Sequence, residues 1–211
     1  MTKVYQKSLE VIPKILQSLE LGEIVALHTD MFYIFLAHGF NDLAVTKIHE
    51  LKKWNPRKPL TLLSHRRKVE EFAIISQDSE ILINQFPYPI SLIIPHKGNL
   101  SDEVTGGHKT IFLSCPDDFI YNLIDVSSFP IVCGTASLGG EYQAKTSKTT
   151  QEFFGNQVSV IIDGGKCKYG MRTTMIDCSL PLPTIMNFGL IAFDELRLLL
   201  PHIELPSHLR K

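Results

Sequence analysis

The chain has 211 residues, 44% hydrophobic and 20% charged, with a formal net charge of −1. That length suits one large domain or one domain with a small appendage, and the apolar share is ample for a core. The near-zero charge excludes binding of nucleic acid through bulk electrostatics, no segment is apolar for long enough to cross a bilayer as a helix, and the 4 cysteines (Cys115, Cys133, Cys167 and Cys178) lie far apart without a CxxC, which excludes a disulfide framework.

Such cysteines read as reduced thiols and predict a cytoplasmic location. The opening "MTKVYQKSLE" has no apolar stretch after its lysines, which predicts no secretory signal. The histidines are scattered without paired ligand spacing, so no protein-bound metal is expected.

In chain order, residues 7–21 place Val11, Ile12, Ile15, Leu16 and Leu19 at helical spacing, with Pro13 early enough for a first turn and Gly22 where a C-cap wants it. "EIVALHT" reads as a buried strand. Asn41 to Lys52 reads as a helix capped by Asn41, with Leu43, Val45, Ile48 and Leu51 inward. "PLTLLS" is a strand; 66–73 and 78–84 read as helices; "ISLIIP" and "TIFLSC" are strands. A helix over 119–126 precedes the strand "PIVCGT". "VSVIIDGG" is a strand ending in a glycine turn, "TTMIDCS" and "TIMNFG" are shorter strands, and 193–199 closes with a helix. Roughly seven or eight strands with five or six helices, in no regular alternation, predict an α/β (α+β) mixed twisted sheet with helices packed on it.

The positive charge is local. Lys52, Lys53, Arg57, Lys58, Arg66, Arg67 and Lys68 fall in one stretch. It reads either as a solvated face or as an anion site. Three strand ends carry hydroxyls. "LHTDMFYIFLAHG" runs from a strand into Thr29 and Asp30. "VCGTASLGGEY" leaves a strand at Gly134 into Thr135, Ser137, Gly139 and Gly140. "GMRTTMID" sets Arg172, Thr173 and Thr174 at a strand start. Strand ends are where open α/β sheets bind ligands, and small hydroxyl-bearing loops suit phosphate or carboxylate; each piece alone reads equally as a turn. No GxxxxGK[ST] loop, strand-linked GxGxxG or GxSxG elbow is present.

The order of these pieces resembles the YrdC-like superfamily of threonylcarbamoyl-AMP synthases and YciO proteins. "HTDMFYIFLA" stands for its first motif, "KKWNPRKPL" for its K-x-R-P segment, and "FPYPISLII" for its PG segment. "IFLSCPDD" stands for its V-R-x-P strand, "TASLGG" for its S-A-N loop, and "IIDGGKCKYGMRTTMID" for its closing IDGG–STVVD run. The match extends roughly from the first helix to Phe188.

The resemblance implies a twisted open mixed sheet with flanking helices and a concave, positively lined cavity, formed by residues 1–200 as one domain with 201–211 as a C-terminal tail. It implies binding of ATP, with Mg2+ on the nucleotide, and of threonine, which with bicarbonate would give threonylcarbamoyl-adenylate for tRNA modification. Lys52 and Thr29 would be the catalytic pair. Lys52, Arg57, Thr135, Ser137 and Arg172 would hold ATP, and Thr29, Asp30, Thr173 and Thr174 would hold threonine. The partners implied are these small molecules, tRNA or double-stranded RNA, and tRNA-modification proteins, with no membrane.

The chain departs from the pattern at His28, Met31, Ile34 and Tyr88, and at Ser137 for asparagine. It also carries Trp54, Ser114 and Asn187 where arginines are usual. Arg57 lies three residues beyond Trp54. Bidentate guanidinium contacts are not replaced by lysine. The losses keep open a second expectation: a YciO-like protein that binds a nucleotide or double-stranded RNA without synthase activity.

Overall fold

The computed structural model describes residues 2–53, 58–140 and 142–209. Trp54 and Arg57 lie outside the described residues.

The chain runs β1 (Lys3–Gln6), α1 (Ile12–Glu20), β2 (Val25–His28), β3 (Tyr33–His38), α2 (Asp42–Lys52) and β4 (Thr61–Leu63). Next come α3 (Gln77–Ile83), β5 (Tyr88–Pro95), α4 (Asp102–Thr105), β6 (Thr110–Cys115), α5 (Asp118–Val126) and β7 (Ile131–Thr135). It closes with β8 (Ser137–Leu138), β9 (Tyr142–Gln143), α6 (Ser147–Phe154), β10 (Val160–Asp163), β11 (Thr174–Asp177), β12 (Thr184–Asn187) and α7 (Phe193–Leu199).

The helix starts follow capping chemistry. Asn41 accepts a hydrogen bond from the Ala44 amide at 3.1 Å and opens α2, and Asp117 accepts from the Ile120 amide at 2.9 Å and opens α5. Thr146 and Thr149 satisfy each other's amides at the start of α6. α2 ends on Lys53, which is left-handed at φ 50°.

Among the described residues, the 10-stranded sheet has the order β1-β10-β2-β3-β7-β4-β6-β5-β11-β12, and β8 and β9 form a separate hairpin. Parallel pairs (β1–β10, β10–β2, β4–β6, β5–β11) mix with antiparallel ones. This is the expected mixed open sheet. Its register sorts the two faces. Val132, Leu62, Leu113, Leu92, Ile176 and Ile185 pair in one row across six strands, and each is 0% exposed. One residue further along the middle strands, the side chains point to the opposite face.

Several elements differ from expectation. β1 is an edge strand with mostly exposed side chains, so it lacks the apolar signal of a strand. β3, "YIFLAH", is the aromatic run after Asp30; it is largely buried and shows no alternation. α6 is Ser- and Thr-rich and rests on its caps. Over 66–73 the structure has only a single 3-10 turn, Val69–Glu71. The chain beyond 200 is docked in part: Ile203 is 4% exposed, and Glu204 bridges β12, accepting from the Ile185 amide at 2.9 Å.

Candidate functional site

A cavity of about 240 Å³ lies on the face of the sheet opposite the core row. Its floor is another register row: Leu63, Ser114, Ser91, Met175 and Asn187 pair in turn across β4, β6, β5, β11 and β12, and all five line it. Cys133, Thr61 and Phe112 form a parallel row. The rim carries Thr29, Met31 and Phe32 after β2, Thr135, Ser137, Gly140 and Gln143 after β7, and Arg172 and Thr173 before β11.

Each expected residue except Arg57 has a definite place. The Thr29 hydroxyl donates to the Phe32 carbonyl at 2.7 Å and accepts from the Met31 and Phe32 amides, each at 3.2 Å. It shapes the Met31–Phe32 wall. Thr135 and Ser137 line the cavity, and the Lys52 ammonium sits behind them. It donates to the Thr135 carbonyl and, at 3.0 Å, to the Ser137 hydroxyl. Lys52 is 0% exposed, and burial lowers its pKa to about 8, with Cys133 opposing this and Lys58 and Arg172 adding to it. The field of Lys58 and Arg172 thus reaches the same spot. Arg172 is exposed at the rim, and the Thr173 hydroxyl lies 2.7 Å from that of Ser91.

Besides Lys52, which sits behind the wall without lining the cavity, two expected residues are not brought to it. Thr174 is 0% exposed and points into the core; its hydroxyl donates to the Ile191 carbonyl at 2.6 Å and accepts from the Gly189 and Ile191 amides. Strand alternation causes this: Thr173 and Met175 face the cavity, so Thr174 cannot. Asp30 does not line the cavity either. Its charge acts on His28, Asp117 and Cys167, and its carbonyl accepts from the Tyr169 amide at 2.9 Å. Arg57 lies outside the described residues.

The basic stretch divides. Arg66 pairs with Glu70 and with Glu80, the latter at 2.8 Å. Arg67 bonds the Tyr121 hydroxyl at 2.9 Å, and Lys68 donates to the Ile124 and Ser127 carbonyls at 2.7 and 2.6 Å. These three serve the fold. Ser114 and Asn187, where the resembled pattern has arginines, both line the cavity, and the Ser114 hydroxyl is bonded to the Ile90 carbonyl at 2.8 Å. Ser91, Phe112, Gln143 and Met175 also line it and were missed. Period-two alternation in "TIFLSC" and "TTMID" would have separated cavity residues from core residues.

A second polar cluster lies where the parallel strands β1, β10 and β2 end. Lys7 is 3.9 Å from Asp117. His28 sits beneath Gly164, where an added Cβ would lie 2.4 Å from its Nδ1, so only glycine fits there. Burial opposes ionisation of Asp163, but bonds from Ser147, the Gly165 amide and Tyr33 outweigh it and hold its pKa low. Burial lowers the pKa of His28, with Lys7 adding to the effect, and burial lowers that of His65 as well. These histidines therefore bind more protons in the unfolded chain near pH 6, and the stability they contribute, present above the unfolded value of about 6.5, is lost as pH falls toward the folded values, while Asp117, raised by burial, pulls the other way. A urea midpoint that drops between pH 7 and 5, with a smaller drop in His28→Gln, is the expected result. An equal drop in that variant would take His28 out of the linkage.

Among the described residues no helix is long and apolar enough to cross a membrane, and no cluster of His, Cys, Asp or Glu is disposed to hold a metal ion.

Comparison with known proteins places this geometry. The Sua5–YciO–YrdC family model, described as "Telomere recombination", matches residues 17–189. The putative threonylcarbamoyl-AMP synthase of Methanocaldococcus jannaschii is 28% identical over 180 residues, covering 82% of this chain and 85% of that protein. The threonylcarbamoyl-AMP synthase of Pyrococcus abyssi is 26% identical over 190 residues, which cover 87% of this chain and 55% of that protein, so the chain spans about half of that relative. The crystal structure of P. abyssi Sua5 complexed with L-threonine superposes with a TM-score of 0.88 at 23% identity, covering 98% of this chain and 62% of that one. E. coli YciO does so at 0.82 and 16% identity, covering 92% and 99%. With the family model matching most of its length, the chain belongs to the Sua5–YciO–YrdC family.

Proposed function

We propose that the chain binds ATP and threonine in the sheet cavity and, with bicarbonate, forms threonylcarbamoyl-adenylate, which supplies the threonylcarbamoyl group for modification of a tRNA adenosine. The observation that carries this reading is the charge pattern of the cavity. Arg172 lines it, Lys58 and Lys52 lie within electrostatic reach of one another, and no carboxylate is among the described lining residues. Such a wall suits phosphate oxygens.

The chemistry balances. The threonine amine adds to bicarbonate with loss of water, a carbamate oxygen then attacks the α-phosphorus of ATP, and pyrophosphate leaves. The protein's part is to position and to stabilise charge. Arg172 and Lys58 would face the phosphates, with Arg57 as a further candidate. Thr135 and Ser137 would bond phosphate oxygens. Thr173, with Ser91, would receive the threonine, and Thr29 would act by holding the Met31–Phe32 wall. Magnesium would arrive on the nucleotide. The setting would be the cytoplasm.

The experiment is pyrophosphate release with ATP, magnesium, threonine and bicarbonate, each omitted in turn. Turnover that needs all three substrates supports the reading; none overturns it. Ser114 and Asn187 favour one alternative, a YciO-like nucleotide or double-stranded-RNA binder without synthesis, because each sits in the cavity where a guanidinium is usual. An RNA binder would show affinity falling steeply with salt. Restoring the guanidiniums with Trp54→Arg and Ser114→Arg is expected to raise adenylate formation about tenfold or more, the value of a charged hydrogen bond. No gain from the pair would mean that the missing arginines do not limit the reaction.

A further inference from the structure

Lys52 is the last residue of α2, and its side chain runs entirely inside the protein. Its stem passes under Gly134, where an added Cβ would lie 3.2 Å from Lys52 Cδ. The ammonium then ends on the back of the cavity wall, at the Thr135 carbonyl and the Ser137 hydroxyl. Thr135 and Ser137 line the cavity and Lys52 does not. The same loop is tied to the lysine's backbone, because the Gly139 amide donates to the Lys52 carbonyl at 3.0 Å.

We propose that Ser137 is the positioning residue of Lys52: its hydroxyl holds the ammonium against the wall, and the lysine acts on an anionic ligand through Ser137 rather than by reaching into the cavity. This rests on the nucleotide reading above. A hydroxyl has one proton and two lone pairs. Ser137 accepts from Lys52, and its own proton has the Thr135 carbonyl at 3.3 Å. An anionic oxygen in the cavity is a better acceptor for that proton. Because Ser137 also accepts from a cation, its hydroxyl is polarised toward the ligand.

The groups facing the ammonium set its charge. Cys133 lies beside it on β7, but burial pushes that thiol up to about 12, so it brings no negative charge at neutral pH. Lys58 and Arg172 oppose the ammonium from the neighbouring loops. The Ser137 oxygen and the Thr135 carbonyl favour it. Removing the Ser137 hydroxyl removes a partner of the charged form, so Lys52 should lose its proton at lower pH.

The test follows the Lys52 side-chain NMR signal, assigned with Lys52→Met, through a pH titration without ligand. Wild type, Ser137→Ala and Ser137→Thr are compared in the full chain, and ATP affinity is read by calorimetry at pH 7 and pH 9. The wild-type midpoint is expected near 8. Ser137→Ala should move it down by about one pH unit, the value of a hydrogen bond to a charged group, and Ser137→Thr should restore it. Wild-type ATP affinity should fall about tenfold between the two pH values, and the lowered midpoint of Ser137→Ala, which leaves Lys52 about half protonated at pH 7, should already cost about twofold there. An unchanged Lys52 titration in Ser137→Ala overturns the proposal, and so does a threonine variant that behaves like alanine. A shifted titration in a protein that binds no ATP supports the hold of Ser137 on Lys52 and overturns the nucleotide reading.

Discussion

Phe35→Ala is expected to lower the unfolding free energy by about 3–5 kcal/mol, the usual cost of emptying a buried phenylalanine site. Phe35 is 0% exposed at the middle of β3, which is hydrogen-bonded to β2 on one side and β7 on the other. Its ring meets Phe154 of α6 edge to face, with centroids 4.8 Å apart, a geometry that adds about 0.5–1.5 kcal/mol beyond area. Its partner on β7 is Gly134, which has no side chain to move into the space, and strands bonded on both edges cannot collapse to close it. Urea unfolding should show a lower midpoint with an unchanged slope. A loss under about 1 kcal/mol would mean that Phe154 refills the site and that α6 is loosely held.

Lys52→Ala is expected to weaken ATP binding by about 1.5–3 kcal/mol, or roughly ten- to over a hundredfold in affinity. The substitution removes the cation behind Thr135 and Ser137. Lys52→Met keeps most of the buried stem and separates charge from packing, and it should lose nearly as much affinity. Unchanged affinity by calorimetry in both variants would remove Lys52 from the site. Stability offers a separate check. The folded pKa of Lys52 is lowered from 10.5 to about 8. Between those values the unfolded chain carries more protons, so stability rises with pH from about 8 to 10.5 and is lost as pH falls through the folded value. That rise should be smaller in Lys52→Met.

Much of the fold is written in local pattern. "VSVIIDGG" ends in a glycine turn, and Asn41 caps α2 as its position suggests. β3 was not legible because a strand buried on both faces shows no alternation, and β1 was not because an exposed edge needs few apolar residues. The lining of the cavity was legible to one residue's precision in places. Thr135, Ser137, Arg172 and Thr173 do reach the cavity, while Thr174, adjacent to one of them, belongs to the core. Motif resemblance chose the segment, and the pleat chose which neighbour faces in. Beyond the local Arg66–Glu70 pair, the fate of the basic stretch was not legible, because Glu80 on α3 and the carbonyls that hold Lys68, on α5 and just beyond it, are distant in sequence. The depth of Lys52 was not legible either, because it depends on glycine at 134, on a strand contributed much later in the chain.

The position of β10 between β1 and β2 also constrains the order of assembly. Lys3 pairs with Val160, and Val160 pairs with Val25. The first strand made therefore has no neighbour until the chain is three-quarters complete, and one edge of β2 stays open for the same time. Contacts of such long sequence separation form late, and their loop-closure cost slows folding. During synthesis β2 waits as an apolar strand with unpaired amides and carbonyls, the kind of edge that recruits other chains. The arrival of residues 160–163 is the step that closes it, and interruptions of translation before that point should yield aggregates rather than a folded N-terminal half.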